Sequence, residues 1–229
     1  PELVVTDDFD DDAVPDLATV NRLSHDVSIL YGCREGGFES EIRAARLPAG
    51  SLIDESIIPG WAPDETASPD PAVDTVRFFP RDIVLHDFNG DGPLDILVAD
   101  DRNNGLFLFF CNPPNGDGVP SFQTAIRLPT VADPEDLVAE DLNRDGRMDL
   151  ITANDHADQV SVLLGLEHGV FGAEVKQPED GKGKKPTDVN EPETVVVGYF
   201  NKDNIYDLAV VSEKSYSLSV LLGNGDGTF

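Results

Sequence analysis

DFNGDGPLD, at Asp87–Asp95, runs directly into the apolar segment ILVA and returns in modified form three more times along the 229-residue sequence. The other copies read DFDDDAVPD at Asp8–Asp16, DLNRDGRMD at Asp141–Asp149 and YFNKDNIYD at Tyr199–Asp207. A second apolar phrase follows each copy at a nearly constant distance, as in VSVLLG at Val160–Gly165. Two landmarks that recur in the same order four times establish an internal repeat.

The length of the repeat and the placement of its turn-forming residues are those of a small antiparallel sheet. Successive copies are spaced by about 55 residues, apart from a longer first copy, and this period is typical of propeller blades. The third copy predicts strands at Leu137–Glu140, Leu150–Ala153, Gln159–Leu164 and Phe171–Lys176, separated by turn-forming residues. A sheet that is apolar on both faces must stack on copies of itself. We therefore predict an all-β fold, a β-propeller of four-stranded antiparallel blades.

The repeats divide a single predicted propeller-type domain, residues 1–229, into about four units. Their approximate bounds are 1–48, 80–128, 135–176 and 194–229, with insertions at 49–79 and 177–193. Ser40–Leu47 has a helical composition, but the repeat register favours a strand there. The fourth unit ends before its outermost strand, so either four blades close on themselves or the chain is a segment of a larger propeller or repeat array. We favour the segment.

The aspartate-rich loop between the first two strands has the spacing of a calcium site. Calcium takes six to eight oxygen ligands, and positions 1, 3 and 5 of a tight loop can direct side-chain oxygens inward. Position 7 can offer its backbone carbonyl, and the acid at position 9 can complete the shell. Glycine at position 6 permits the positive φ that the turn requires. The pattern predicts about three bound Ca²⁺ ions, with a degenerate fourth site.

The predicted ligands are side-chain oxygens at positions 1, 3, 5 and 9 and the carbonyl of position 7. They are Asp8, Asp10, Asp12, Val14 and Asp16 in the first loop; Asp87, Asn89, Asp91, Pro93 and Asp95 in the second; and Asp141, Asn143, Asp145, Arg147 and Asp149 in the third. The fourth loop offers only Asn201, Asp203 and Asp207, because Tyr199 stands where a carboxylate is needed. We expect the fourth loop to bind calcium weakly or not at all.

Two other kinds of loop share part of this pattern. An EF-hand begins with the same pattern but requires an acid at position 12 between two helices, whereas the twelfth residues here are Thr19, Val98, Thr152 and Val210. The EF-hand is therefore rejected. Solvated turns held by Asx hydrogen bonds remain the second alternative. Recurrence in register favours a metal loop over such turns.

The phrases DFNGDGPLDILVA, DLNRDGRMDLITAN and LSVLLGNGDGTF, with Phe171-Gly172-Ala173 after the third turn, resemble the FG-GAP/VCBS type of calcium-binding propeller repeat. The resemblance covers most of the chain outside the insertions. It implies a propeller fold, structural calcium and an extracellular or cell-surface location. Family members include integrin-like adhesion heads, sugar binders and some polysaccharide lyases, so the resemblance does not choose among these functions.

The amino-acid composition limits the classes of partner that the chain can bind. The chain has 16 Lys+Arg against 44 Asp+Glu, which gives a net charge of −28. This charge argues against nucleic acid and anionic lipid as partners. The sequence has no long apolar run, so we expect no membrane insertion. We expect a non-enzymatic, calcium-stabilised module for adhesion, assembly or glycan or protein binding, or for contact with neighbouring copies. The alternative is the propeller part of a carbohydrate-active enzyme such as a polysaccharide lyase. Trp61, in the first insertion, is a candidate for stacking on a sugar, or else fills a groove between blades.

Overall fold

The computed structural model describes residues 1–10, 12–38, 42–45, 79–112, 121–129, 133–177 and 189–229, with the backbone alone for 42–45 and 129. Within these residues the chain is all-β, apart from a short 3₁₀ helix at Glu167–Gly169. The strands form successive antiparallel sheets, named here sheets I to IV in chain order. The four-stranded antiparallel unit that the repeat predicts is confirmed.

Each sheet is a meander in which consecutive strands pair. Sheet I contains β1 (Leu3–Asp7), β2 (Asp16–Asn21), β3 (Asp26–Leu30) and β4 (Ile42–Ala45). Sheet II contains β5 (Pro80–His86), β6 (Asp95–Asp100), β7 (Gly105–Phe109) and β10 (Ile126–Pro129). Between β7 and β10 the chain forms a separate two-stranded sheet of β8 (Cys111–Asn112) and β9 (Ser121–Phe122). Sheet III contains β11 (Pro134–Glu140), β12 (Asp149–Asn154), β13 (Gln159–Leu163) and β14 (Val175–Gln177). Sheet IV has three strands in the described residues, β15 (Pro192–Gly198), β16 (Asp207–Ser212) and β17 (Ser217–Leu221).

The predicted strands match except at the outer edge. Ile42–Ala45 is a strand, as the repeat register favours over the helical composition. In sheet III, however, the outer strand is Val175–Gln177, so the prediction of a strand from Phe171 is wrong for its first residues. Phe171 forms only an isolated bridge with Gly165, which closes the turn containing the 3₁₀ helix. The chain therefore crosses the end of the sheet before it pairs with β13.

The hydrophobic core lies between consecutive sheets. One buried cluster joins sheets I and II, a second joins II and III, and a third joins III and IV. The central strands β6 and β12 are buried along their whole length because both of their faces are covered. Each fully buried Leu, Ile or Val contributes about 1.5–3 kcal/mol through removal of apolar surface from water.

The first strands of the sheets lie side by side in the order β1, β5, β11, β15. Two aspartates at bulges in these strands join one sheet to the next. Asp82 Oδ2 accepts a hydrogen bond from the Leu137 amide at 2.8 Å, and Asp136 Oδ2 accepts one from the Val195 amide at 2.7 Å. Burial, followed by the neighbouring Asp136, raises the pKa of Asp82 to about 7. These bonds hold the first strands in register with one another.

Candidate cation-binding loops

Four aspartate-rich loops occupy equivalent positions in the stack. Each joins the first strand of a sheet to the second, at residues 8–15, 87–94, 141–148 and 199–206. Because the first strands lie side by side, all four loops emerge at the same end of the sheets. We refer to them as loops 1 to 4.

Loop 1 brings three carboxylates together. One oxygen each of Asp8, Asp10 and Asp12 lies within 4.8 Å of the other two. Asp8 also accepts hydrogen bonds from the amides of Asp12 and Ala13, at 3.1 and 2.8 Å, so the loop curls around its first side chain. At this separation each pair of charges repels by about 3 kcal/mol for an effective dielectric constant of 20, and solvent reduces that figure at the surface. Burial, aided by Asp16 and Asp12, raises the pKa of Asp10.

Loops 2 and 3 repeat the curl with two carboxylates and one amide. Asp87 accepts hydrogen bonds from the amides of Gly90, Asp91 and Gly92 at 2.8–3.1 Å. In loop 3 the position-1 aspartate accepts from the position-5 and position-6 amides at 3.0 and 2.8 Å. In both loops the position-3 Asn oxygen accepts the position-5 amide. The oxygen donors at positions 1, 3 and 5 fit calcium in kind.

Basic side chains stand beside two of the position-5 aspartates. Arg147 Nη1 lies 3.1 Å from Asp145 Oδ2 in loop 3. In loop 1, Arg34 Nε lies 3.8 Å from Asp12 Oδ2. These exposed pairs are screened by solvent and offset only part of the negative charge of their loops.

The sixth residue has a positive φ in every loop, as its predicted role requires. The φ angles are 66° at Ala13, 111° at Gly92, 85° at Gly146 and 62° at Asn204. Ala13 therefore adopts the left-handed turn although it has a Cβ atom, a conformation in which alanine is strained. The four loops thus share a left-handed residue at position 6 despite the differences in residue type.

The ninth aspartate of each loop has a role that the spacing did not predict. Asp149 is fully buried, and its two oxygens accept the amides of Leu142 and Gly165 at 3.0 and 2.8 Å. Asp16, Asp95 and Asp207 make the equivalent pair of bonds. Each of these carboxylates joins the second residue of its loop to the residue near the end of the third strand. We call them the clamp aspartates.

Burial perturbs the titration of two of the clamps, Asp95 and Asp149. Burial raises the pKa of Asp95 to about 6, with smaller contributions from Asp91 and Asp87, against the lowering effect of the two backbone donors. Burial also raises the pKa of Asp149. A cation held by positions 1, 3 and 5 would favour the ionised form of these acids.

In three of the four sheets the amide that donates to the clamp near the end of the third strand belongs to a glycine. A Cβ atom at Gly32, Gly165 or Gly223 would overlap the carbonyl oxygen of Pro15, Met148 or Tyr206, respectively. In sheet II the same position is Cys111, a buried free thiol whose pKa is raised to about 11 by burial and by Asp95. The sequence signal for the clamp is thus the pairing of the ninth Asp with a Gly sixteen residues later.

Loop 4 keeps the turn but not the acid at position 1. Tyr199 stacks on Tyr206 with ring centroids 4.7 Å apart. Hydrogen bonds with Tyr199 and Glu140 raise the pKa of Tyr206. Asn201 and Asp203 still face each other at 2.7 Å, through the Asn201 amide. Weak or absent calcium binding by loop 4 stays a prediction.

A cleft of about 260 Å³ opens between loops 2 and 3. Its lining combines imidazole, carboxylate, guanidinium and aromatic groups, among them His86, Asp87, Arg147, Glu167, His168 and Phe171. Phe88 and Phe171 form an edge-to-face pair with centroids 5.8 Å apart at its floor.

The opposite end of the sheets is described only in part. The proposed ligand residue Trp61 and most of both insertions lie outside the described residues. The described residues there include acids paired with bases, such as Arg22 with Asp101, Arg81 with Glu135, and His156 with Asp133. None of the helices in the described part has the length and hydropathy needed to cross a bilayer.

Comparison with known proteins agrees with this geometry. Residues 87–152, which contain loops 2 and 3, match the model of the FG-GAP-like repeat. A search of curated proteins finds no match. This segment thus matches the repeat that its motifs resemble, and the match includes loops 2 and 3.

Solved structures show a similar fold at low identity. A lectin of Agrocybe aegerita, described as recognising non-reducing terminal N-acetylglucosamine, is 19% identical with a TM-score of 0.56, covering 99% of this chain and 50% of the lectin chain. BBS1N, solved in complex with ARL6DN, is 11% identical with a TM-score of 0.53, covering 97% and 57%. The chain therefore spans about half the length of the solved chains that it resembles. It is an all-β protein of stacked antiparallel sheets, and its residues 87–152 match the FG-GAP-like repeat.

Proposed function

We propose that this chain is a calcium-stabilised, propeller-type binding module that works outside the cell and is not itself an enzyme. The observation that carries the proposal is the convergence of the Asp8, Asp10 and Asp12 carboxylates in loop 1. Loops 2 and 3 have asparagine at position 3, and its oxygen accepts the position-5 amide. The residues that would hold the ions are those at positions 1, 3 and 5, with the carbonyls of Val14, Pro93 and Arg147. Partly exposed oxygen sites of this kind suit the calcium concentrations of extracellular modules.

Calcium would act on stability rather than on chemistry. Each ion would cancel the repulsion within its loop and hold the connection between the first two strands. The clamp aspartates would remain bonded to the backbone, which divides the acids of each loop into ion ligands and structural acceptors. Loops fixed in this way would give a rigid rim around the cleft between loops 2 and 3.

A glycan is the ligand class that we propose for that cleft. Its lining supplies charged and imidazole groups able to hydrogen-bond hydroxyls, together with the ring of Phe171 for an apolar sugar face. The lectin of similar fold recognises terminal N-acetylglucosamine, which makes this sugar the first probe. A protein partner at the same surface is the competing outcome.

Calcium binding is tested by calorimetric titration of the EDTA-stripped chain. We expect about three ions to bind, and Asp87→Ala to remove one of them without unfolding the protein. Glu213→Gln, which removes an exposed acid outside the loops, should keep the full number. A chain that binds no calcium, or an Asp87→Ala variant with unchanged stoichiometry, contradicts the metal assignment.

Glycan binding is tested separately by saturation-transfer NMR with N-acetylglucosamine and a panel of neutral and acidic sugars. We expect transfer to at least one sugar, lost in a Glu167→Ala, His168→Asn double variant and retained in Glu213→Gln. Transfer to no sugar rejects the glycan assignment and leaves the calcium result independent of it.

A further inference from the structure

A cluster of four acids and one imidazole lies between sheets II and III, at the end of the sheets opposite loops 1 to 4. Its members come from the β6–β7 turn, from the start of β11 and from the β12–β13 turn. They are Asp101, Asp133, Glu135, Asp155 and His156. We call this group the inter-sheet cluster.

Asp133 belongs to two convergent sets of donor atoms. One oxygen each of Asp101, Asp133 and Glu135 lies within 4.8 Å of the other two. One donor atom each of Asp133, Asp155 and His156 meets the same limit. His156 Nδ1 contacts Asp133 Oδ2 and lies 3.4 Å from Asp155 Oδ2. Asp133 is therefore the member that the acidic set from both sheets and the imidazole set share.

The main chain fixes Asp133 between the two turns. Its amide donates to Asn104 Oδ1 in the β6–β7 turn at 2.9 Å. Its carbonyl accepts the amide of Asp155 in the β12–β13 turn at 3.1 Å. These bonds use no side-chain atom of Asp133, so they hold the residue in place without occupying its carboxylate.

Two oxygens of the cluster are closed to solvent and have no hydrogen-bond donor among the described residues. Asp101 is only 5% exposed, and its Oδ2 pairs with Arg22 whereas its Oδ1 accepts no hydrogen bond. Asp155 Oδ1 is closed to solvent and lacks a donor in the same way. A buried carboxylate oxygen without a donor is costly, and such an atom indicates a partner such as an ion. A cation satisfies several neighbouring carboxylates at once.

The negative charge of the cluster is only partly balanced by the bases that pair with it. Arg22 pairs with Asp101. Arg81 pairs with Glu135. Four carboxylates thus face two guanidinium groups, which leaves two negative charges when His156 is neutral. A single divalent cation would balance them.

The donor set differs in kind from that of loops 1 to 3. Calcium takes oxygen ligands, whereas an imidazole nitrogen beside carboxylates suits Zn²⁺ and similar transition-metal ions. The ring of His156 is 73% exposed, whereas Asp101 is closed to solvent. The cluster therefore combines a buried acidic side with an imidazole that solvent reaches.

We propose that the inter-sheet cluster binds one divalent transition-metal ion of the Zn²⁺ class, held at Asp133. Asp155 and His156 would supply further ligands from sheet III, and Asp101 would supply one from sheet II. The ion would tie the two sheets together at the end opposite the calcium loops. A metal-free ion pair between His156 and Asp133 is the competing outcome.

Calorimetric titration of the full chain with Zn²⁺, in saturating calcium, tests the proposal. The wild type should bind one Zn²⁺ ion that Asp133→Asn removes, because asparagine keeps the size of the side chain but not its charge. His156→Gln should bind the ion about tenfold or more weakly. His168→Asn, which removes an exposed imidazole outside the cluster, is the matched control and should bind as the wild type does. Circular dichroism checks that every variant is folded.

Imidazole NMR separates metal ligation from the ion pair. One equivalent of Zn²⁺ should shift the ring nitrogen signals of His156 and leave those of His168 unchanged. A chain that binds no Zn²⁺ overturns the proposal, and so does an ion that Asp133→Asn retains or that leaves the His156 ring signals unchanged. Asp87→Ala should keep the zinc ion, since the test does not depend on calcium binding by loop 2. Loss of zinc in that variant would place the ion in the loop and overturn the assignment.

Discussion

Replacing Asp149 with alanine tests the division of each loop into ion ligands and a backbone clamp. The change leaves the amides of Leu142 and Gly165 without acceptors at a site closed to water. Each unsatisfied buried donor costs about 1–3 kcal/mol, so the free energy of unfolding should fall by about 4 kcal/mol. Asp149→Asn keeps one acceptor oxygen and should lose about half as much.

The measurement is urea unfolding near neutral pH in EDTA, so that calcium binding does not contribute. Asp145→Ala is the control, because it removes an acid of the same loop that is 34% exposed and bonded to groups that water can reach. In EDTA this variant should remain within about 1 kcal/mol of wild type, since an exposed ion pair contributes little. Equal losses in Asp149→Ala and Asp145→Ala would refute the assignment of Asp149 as a clamp.

Three further changes address other parts of the structure. In the folded chain Asp82 has a pKa of about 7 and keeps its proton up to that pH, whereas in the unfolded chain it releases the proton above about pH 4. The free energy of unfolding should therefore fall between about pH 4 and 7, by up to about 1.4 kcal/mol per pH unit. Urea unfolding of Asp82→Asn should show a flatter pH profile than that of the wild type. Parallel profiles would contradict this. Gly165→Ala should lower the free energy of unfolding by about 2–4 kcal/mol, because its Cβ overlaps the Met148 carbonyl, whereas Gly172→Ala, with its nearest contact at 3.5 Å, should change it little. Equal effects would argue against the close approach. Tyr199→Asp should add one calcium ion in calorimetric titration by supplying the missing acid of loop 4, and an unchanged number would show that more than this acid is lacking.

The repeat made the strands and loops predictable because both depend on local chemistry. Asp141–Asp149 marks the turn between β11 and β12, and the apolar segments on either side are β-rich and long enough to pair. The apolar residues on both faces of β12 also predicted that sheets would stack. The positive φ of the sixth residue was predictable in loops 2, 3 and 4 because glycine or asparagine stands there.

The clamp and the bonds between sheets were not predictable in the same way because they join residues that are distant in the chain. The loop spacing predicts Asp149 as an ion ligand. Its partner Gly165 lies beyond the end of β13, so the bond between them depends on how that strand returns to the loop. Asp82 of sheet II accepts the amide of Leu137 in the adjacent sheet III. The recurrence of Pro-x-Asp at Pro134-Glu135-Asp136 is a sequence signal for these bonds between sheets. The outer strand was misplaced because Phe171 has strand propensity, but the turn after Gly165 directs it across the end of the sheet.

The central claim, that calcium holds these loops, is tested most directly by the melting temperature of the EDTA-stripped chain as free calcium is raised, with magnesium in parallel. At one hundred times the dissociation constant a single site adds about 2.7 kcal/mol, which corresponds to a rise of about 5–10 °C for a chain of this size. The account predicts that the melting temperature rises with the logarithm of free calcium above the dissociation constant, by at least this amount at one hundred times that constant, and rises less with magnesium. A melting temperature that does not change with calcium would contradict it.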